Sequence, residues 1–442
     1  MPYIAETLAS FAAETSKQDI PEAAWSAAER SLLDTLAAII GGVNTQNASD
    51  ARRASLEVFG PGSFSCWFGK ADKMHFLGAL FSNCAAASAL DVDDGHRGAA
   101  GHPGAAIIPA VLMEAEHRPV SGEDLLAAVI IGYDVALRIG EARRLHEEIS
   151  FASGIWTCYG VAAALGRLRG LSAGQIAHAM AIAGAEAPQN LPQGACRASS
   201  VKGSSPWSTV TATVAVARTA AGATGSIDLL DRGDAYQVAA IPKGLAERWP
   251  ITEAYFKPYA SCRYTHPVID AILQIKRGMG PEPASIQSLH VEIFPEASKL
   301  PNSVAPTSLE DAQFSLPYCA ALAAVRDAAA FRPLKPDSLR DQQVLKLAEQ
   351  ISIDYSKEFA GAFPQRTPAR VTIVSRDNPS SVYVDPPLGD PHKPLGDDDL
   401  IRKLVDFGNG VAPEEHLFRV ASKCLTLKGM GHLPFDARLL RL

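Results

Sequence analysis

The residues with the clearest chemical potential lie together between positions 91 and 104. This segment holds three carboxylates, two imidazoles and one guanidinium in fourteen residues, and it follows the apolar, alanine-rich run 81–90. Its four glycines and one proline interrupt any helix, which predicts a loop. Because charges beside a buried helix are costly unless they are paired or bound to a ligand, we expect the chemistry of this chain in that loop.

The residue types in this loop are compatible with three roles. Asp91, His96 and His102 are close enough in sequence to ligate zinc or manganese. They also suit proton transfer or substrate binding without a cofactor, and an aspartate-rich loop can simply be solvated. No second histidine pair at helical spacing supports the metal. We therefore favour proton transfer or substrate binding and keep the other two roles as alternatives.

A lysine and a later basic stretch are the other candidates. Lys202 stands just before the apolar segment 208–221, where the positive end of a predicted helix favours a bound carboxylate, although a surface lysine fits equally well. The stretch 257–266 supplies cations and His266, which is a candidate for proton transfer although a lone histidine is more often structural. Cys262 is a weaker candidate for a nucleophile because no paired base is visible.

The bulk composition excludes several classes of protein. The 442 residues are 47% hydrophobic and 20% charged, with a net charge of -7 and no block of basic residues, so nucleic acid is not an expected partner. No apolar run is long enough to span a membrane, and no signal peptide is visible. The seven scattered cysteines contain no C-x-x-C pair, which predicts reduced thiols in the cytoplasm.

Helices must carry these residues in the first part of the chain. Apolar positions at helical spacing predict a helix over 24–40 that ends at two glycines. Ser121 and Ser172 each begin a further helix with the pattern of a capping box. Small residues dominate 208–221, which indicates a helix inside a bundle.

The pattern changes after residue 264. Strands are predicted at 288–294, 351–355 and 370–374, with helices at 315–331 and 338–349, then a Pro/Gly/Asp-rich stretch 377–399 and a last helix 400–407. We therefore predict a mainly α protein: a large all-helical domain, residues 1–264 plus 396–442, and a smaller α+β lid domain, residues 265–395. A ligand would bind in the cleft between them.

Taken together, these segments resemble the MmgE/PrpD family over nearly the whole chain. The matching motifs, in order, are Leu-Leu-Asp-Thr-Leu-Ala-Ala at 32–38, Ala-Leu-Asp-Val-Asp-Asp-Gly-His at 89–96 with His102-Pro-Gly, the Lys202 segment, Lys-Pro-Tyr-Ala-Ser-Cys at 257–262 with His266, Ser-Leu-Pro-Tyr318, and Pro-Leu-Gly-Asp-Asp-Asp-Leu at 394–400. The resemblance implies the same two-domain fold, a homodimer, and no metal or organic cofactor.

The resemblance also implies a set of active-site residues and a substrate class. The implied catalytic residues are Lys202, His266, His96, Asp91, His102 and Tyr318, although Tyr318 by itself reads as a core residue. For a polycarboxylate substrate, Arg97, Arg263, Arg197 and Lys257 supply the positive charge. In our hypothesis Lys202 and His266 act as opposed base and acid. Asp91 orients His96 or His102, and Tyr318 donates a hydrogen bond from the lid.

Three departures from the family pattern narrow the activity. Many members carry a threonine at the position of Gly95, and the dehydratases and decarboxylases often carry histidines at the positions of Ala152 and Ser205. Dehydration must protonate a leaving hydroxyl, whereas epimerisation needs only removal and return of a proton next to a carboxylate. We therefore expect an epimerase of an iminodisuccinate-type polycarboxylate. A 2-methylcitrate dehydratase or a cis-aconitate decarboxylase-like lyase is the alternative, and a non-catalytic homologue is favoured less.

Overall fold

The computed structural model describes residues 2–69, 72–144, 152–188, 204–279, 286–375, 378–430 and 435–441. Within these ranges the chain forms fifteen α-helices and one four-stranded sheet, so the predicted fold class, mainly α with a small α+β part, is confirmed. The helices before residue 264 are α1 (Ile4–Glu14), α2 (Glu22–Gly42), α3 (Gln46–Phe59), α4 (Phe76–Ser88), α5 (Gly104–His117), α6 (Gly122–Glu141), α7 (Gly154–Leu168), α8 (Ala173–Glu186) and α9 (Ser205–Ala220).

Local sequence signals determine where several of these helices begin. The Ser121 side chain accepts a hydrogen bond from the backbone N–H of Asp124 at the start of α6. Ser172 and Gln175 form the reciprocal bonds of a capping box at the start of α8, as predicted. The helix predicted over 24–40 continues through its two glycines to Gly42.

Helix α7 lies in the middle of the helical bundle and packs against α5, α6, α8 and α9. Small residues make this possible. A Cβ on Gly160 of α7 would lie 2.2 Å from the carbonyl oxygen of Gly132 in α6, so the two backbones touch where both residues are glycine. The apolar side chains of α6 and α7 are almost all buried, which makes this pair the centre of the core.

The second part of the chain contains the sheet. Strands β1 (Ile286–Ile293), β2 (Ile351–Tyr355), β3 (Ala369–Ser375) and β4 (Asn378–Val384) are arranged in the order β2-β1-β3-β4. β1 is parallel to β2 and antiparallel to β3, and β3 is antiparallel to β4. The remaining helices are α10 (His266–Met279), α11 (Leu309–Gln313), α12 (Leu316–Val325), α13 (Gln342–Ala348), α14 (Asp397–Gly408) and α15 (Glu414–Cys424).

The structure corrects three expectations in this part. β4 occupies the start of the stretch predicted as Pro/Gly/Asp-rich, because an edge strand tolerates a proline such as Pro379 when its N–H side has no neighbour. The helix predicted over 315–331 ends at Val325. The helix predicted over 338–349 begins only at Gln342, where the Asp341 side chain accepts from two backbone N–H groups.

The last helices return to the first part of the chain. α14 packs against α2, and a Cβ on Gly41 would lie 2.5 Å from the ring of Phe407. The division into a helical domain and a lid domain at the predicted boundaries stays a prediction. Among the described residues, no helix is long and apolar enough to cross a membrane, and the six described cysteines form no disulfide.

Candidate active site

One pair of backbone hydrogen bonds joins the two stretches that carry most of the predicted site residues. The N–H of Gly95 donates to the Tyr255 carbonyl at 3.0 Å, and the N–H of Tyr255 donates to the Gly95 carbonyl at 2.8 Å. The loop between α4 and α5 is thereby fixed beside residues 255–266. A Cβ on Gly95 would lie 2.3 Å from the Tyr255 hydroxyl, so the ring of Tyr255 occupies the space that a larger side chain at position 95 would need.

A buried ion pair lies next to this bridge. The Lys257 Nζ atom is 3.3 Å from Asp91 Oδ2, and the Lys257 side chain is fully buried. Burial acts to lower the pKa of Lys257, but the carboxylates of Asp91 and Asp93 outweigh it and raise the pKa, so the ammonium is charged. Nζ makes no hydrogen bond to any described residue, so its N–H donors are unsatisfied within this part of the chain.

His102 faces the same carboxylate with a basic nitrogen. Its Nδ1 atom lies 2.6 Å from the carbonyl oxygen of Asp94, and since a carbonyl only accepts, Nδ1 carries the proton. In the neutral ring the lone pair is therefore on Nε2, which is 3.9 Å from Asp91 Oδ1. The His102 side chain is 28% exposed, so Nε2 of this histidine is placed to exchange a proton with a ligand or with solvent.

Asp94 connects this loop to the helices through its carboxyl group. Its carboxyl group accepts a hydrogen bond from the N–H of Gly104 at 2.9 Å and lies 2.8 Å from the hydroxyl of Tyr133. Complete burial, with the nearby carboxylate of Asp34, raises the pKa of Asp94 to about 8. Asp94 is therefore a neutral structural acid at pH 7.

Two arginines share one carboxylate on the other side of Tyr255. Asp390 Oδ2 is 2.6 Å from Arg97 and 3.7 Å from Arg263, and both guanidinium groups lie over the Tyr255 ring. Burial, and then repulsion from Arg97, lower the pKa of Arg263 to about 10. Two cations facing a single carboxylate leave positive charge that suits an anionic substrate.

His266 is buried within the same group, and both of its ring nitrogens already have partners. Its Nε2 atom is 3.2 Å from the Ser261 carbonyl oxygen, and its Nδ1 atom is 3.3 Å from an Arg263 nitrogen. Burial, Arg263 and Lys257 together hold the pKa of His266 well below its usual value, so the ring is neutral. In this arrangement His266 supports Arg263.

His96 lies in a separate cluster. Its buried ring is 3.7 Å from Glu141 and 3.8 Å from Glu253, and Nδ1 accepts from the N–H of Ala99. The ligand atoms of His96, Glu141 and Glu253 lie within 4.8 Å of one another, which is close enough to hold a metal ion. Arg248, however, donates to both carboxylates at 2.6–2.7 Å, so a guanidinium already offsets one of the two negative charges of this cluster.

The contacts that the structure describes for Tyr318 do not include Lys257. Its hydroxyl donates to Ser338 Oγ at 3.0 Å, between α12 and the turn before α13. Burial raises the pKa of Tyr318 to about 12. Lys202 and Arg197 lie outside the described residues, so their predicted roles stay predictions.

The structure thus brings together Asp91, His102, Lys257, Arg263, His266 and Arg97 from the predicted set. Sequence reasoning missed Asp390 and Tyr255. The only local signal for Asp390 is its place in a Gly-Asp-Pro turn, and nothing in the sequence links it to arginines more than a hundred residues earlier. For Tyr255, the sequence shows that Gly95 departs from the family pattern, but it does not show that the Tyr255 ring packs against this glycine.

A cavity of about 460 Å³ lies elsewhere on the helical part. Phe64, His117 and Arg169 are among its lining residues, and none of the predicted site residues lines it. Arg169 is already bound to the buried carboxylate of Glu114 through two hydrogen bonds. Arg118 also lines the cavity and lies 2.9 Å from the same carboxylate, so Glu114 is shared between two arginines.

Comparison with known proteins agrees with the family resemblance. The model of the MmgE/PrpD N-terminal domain matches residues 6–245, and that of the MmgE/PrpD C-terminal domain matches residues 259–427. A cis-aconitate decarboxylase of Aspergillus terreus (strain NIH 2624 / FGSC A1156) is 24% identical over 457 residues, covering 94% of this chain and 91% of the relative. The cis-aconitate decarboxylase-like protein oryM of Aspergillus oryzae (strain ATCC 42149 / RIB 40) is 23% identical over 465 residues, covering 95% and 94%. The chain belongs to the MmgE/PrpD family.

Proposed function

We propose that this chain is an enzyme that transfers a proton at a carbon next to a carboxylate of a small polycarboxylate. Decarboxylation of a cis-aconitate-like substrate is its leading reaction. The observation that carries the proposal is the buried Lys257–Asp91 pair beside the partly exposed, basic Nε2 of His102. Expected partners are the polycarboxylate and a second copy of this chain.

The charges around the pair suit the substrate class. The N–H donors of Lys257 and the shared guanidinium groups of Arg97 and Arg263 can bind carboxylates of one ligand. In a buried site these cations also stabilise negative charge that develops on the substrate during reaction. Polar binding of this kind requires no cofactor, and activity that survives a chelator would support the expectation of a metal-free reaction.

The same residues account for the chemistry of decarboxylation. When the bond to the departing carboxylate breaks, its electron pair stays on the substrate carbon as CO₂ leaves. The positive charge of Lys257 favours this step, and a protonated His102 Nε2 then delivers the proton that forms the new C–H bond. The Asp91 carboxylate lies 3.9 Å from this nitrogen.

Two observations set the order of the candidate reactions. The similar relatives named above are called cis-aconitate decarboxylases, which favours the lyase over the epimerase that the sequence alone put first. The epimerase of an iminodisuccinate-type substrate is the second candidate. Ala152 and Ser205 favour it, because neither side chain can replace the histidines that the family resemblance implies for the dehydratases and decarboxylases.

Proton magnetic resonance in heavy water tests the proposal. The protein is incubated separately with cis-aconitate, 2-methylcitrate and iminodisuccinate. A decarboxylated product carrying deuterium is the expected result with cis-aconitate. Deuterium uptake into otherwise unchanged iminodisuccinate would instead identify an epimerase. A new alkene formed from 2-methylcitrate would identify a dehydratase.

A matched pair of variants assigns the signal to the site. Lys257→Gln removes the buried cation and should reduce turnover by roughly two orders of magnitude or more. Lys346→Gln changes an exposed lysine on α13 and should leave turnover unchanged. If the folded protein transforms none of the three substrates, the chain is a non-catalytic member of the family and the proposal is wrong.

A further inference from the structure

A second buried ion pair lies beneath the active-site loop. Lys403 in α14 donates from Nζ to Asp34 Oδ1 in α2 at 2.5 Å, and both side chains are buried. Burial raises the pKa of Asp34 to about 6 although Lys403 opposes the change, and burial lowers the pKa of Lys403. A buried ion pair often contributes no net stability compared with apolar residues of similar size. The pair therefore calls for another role.

Lys403 has a second partner in the loop itself. The same Nζ atom donates to the carbonyl oxygen of Val92 at 2.7 Å. Val92 directly follows Asp91, whose backbone has a φ of 50°, in the left-handed region. Aspartate adopts this region more readily than most residues, but the surrounding structure must still hold it there.

The turn is anchored on its other side as well. The Gln313 side chain donates to the carbonyl of Ala89 at 3.3 Å. Side chains from two distant segments therefore hold the backbone on either side of Asp91. This geometry places the Asp91 carboxylate 3.3 Å from Lys257 and 3.9 Å from His102.

We propose that Lys403 is a positioning residue for the active site. It fixes the left-handed turn at Asp91 through the Val92 carbonyl, and Asp34 holds the Lys403 ammonium in place. Lys403 itself does not touch substrate. Helix α14 thus completes a site whose other residues come from positions 91–102 and 255–266 and from Asp390. The catalytic consequence rests on the function proposed above, whereas the anchoring of the loop does not.

Three variants separate anchoring from general stability. Asp34→Asn with Lys403→Met removes both charges and the donor to Val92, and it avoids a buried charge without a partner. Asp34→Asn alone leaves the Lys403 amine able to donate to Val92. Arg402→Met changes an exposed neighbour on the same helix and serves as the control.

Two measurements are made on each variant. Hydrogen–deuterium exchange followed by mass spectrometry reports the protection of peptides covering 89–104, and steady-state kinetics reports kcat and KM. In the double variant we expect faster exchange confined to this loop and a kcat reduced about 100-fold, the scale expected when a reacting group is displaced by about 1 Å, with KM changed much less. Asp34→Asn should show a smaller loss, and Arg402→Met none.

Two results would overturn the proposal. One is a folded double variant with the loop protection and kcat of the original protein. The other is a folded double variant in which exchange rises equally in peptides throughout the protein, since this would show a general loss of stability and no specific anchoring of the loop. If the original protein turns over no substrate, the proposed function fails, and loop exchange alone still decides the role of Lys403.

Discussion

At the scale of single residues, hydrogen-bond partners decide what each histidine can do. His102 uses Nδ1 to donate to a carbonyl and keeps Nε2 for chemistry, whereas both nitrogens of His266 are engaged in a buried setting. His96 is buried beside Glu141 and Glu253. The sequence alone does not distinguish the roles of these three histidines, because the tautomer of a histidine depends on neighbours that the fold supplies.

His102→Asn should therefore remove activity without unfolding the protein. Asparagine can still donate to the Asp94 carbonyl, but it has no basic nitrogen at the position of Nε2. We expect kcat to fall by roughly 10²- to 10⁴-fold, the usual range for loss of a general acid or base. His290→Asn, at a histidine of β1 that contacts Ser352, is the control and should retain full activity. A kcat within twofold of the original for His102→Asn would exclude it as the proton donor.

At the scale of elements, the start of α5 is where the loop and the core meet. Gly104 is the first residue of this helix, and its N–H donates to Asp94. A Cβ there would lie 2.6 Å from Asp94 Oδ1, 2.7 Å from Thr35 Oγ1 and 2.8 Å from the Tyr133 hydroxyl. The helix can begin so close to three polar groups only because the residue has no side chain.

Gly104→Ala should accordingly destabilise the protein, by about 1–3 kcal/mol, the common cost of overpacking a core. Gly174→Ala is the matched control, since a Cβ at this position in α8 meets nothing within 4 Å. Alanine is the better helix former, so this control should be neutral or slightly stabilising. Urea unfolding of both variants measures the difference, and equal stabilities would contradict the close packing at Gly104.

At the scale of the whole molecule, buried acids link stability to pH. Asp94 has its pKa raised from 3.8 to about 8, so the folded protein keeps a proton that the unfolded chain releases above about pH 4. The stabilisation from this proton is complete below pH 4 and is lost as the pH rises towards 8. Stability attributable to Asp94 therefore falls with increasing pH across this window.

Asp94→Asn should remove that dependence, because the amide is neutral at every pH and can still contact Gly104 and Tyr133. Relative to the variant, the free energy of unfolding of the original protein should fall by up to about 1.4 kcal/mol per pH unit between pH 5 and 7. Urea unfolding at several pH values measures both proteins. Parallel pH profiles would show that Asp94 is already ionised in the folded state.

Periodicity and capping signals predict most of the fold, since they depend on neighbours in sequence. The helices begun by Ser121 and Ser172 and the strand Ile351–Tyr355 are examples. The sequence also predicts that Asp91, His102 and Lys257 belong to the site. It cannot reveal Asp390 or the Asp34–Lys403 pair, because partners separated by hundreds of residues leave no local pattern.

The contact between Gly95 and Tyr255 has a consequence for how this lineage can diverge. A side chain at position 95 would clash with the ring of Tyr255 where it now lies, so position 95 is not free to vary while the ring stays there. A larger residue at position 95 requires the ring to move or to be lost, and aligned homologues should pair larger residues at 95 with smaller ones at 255.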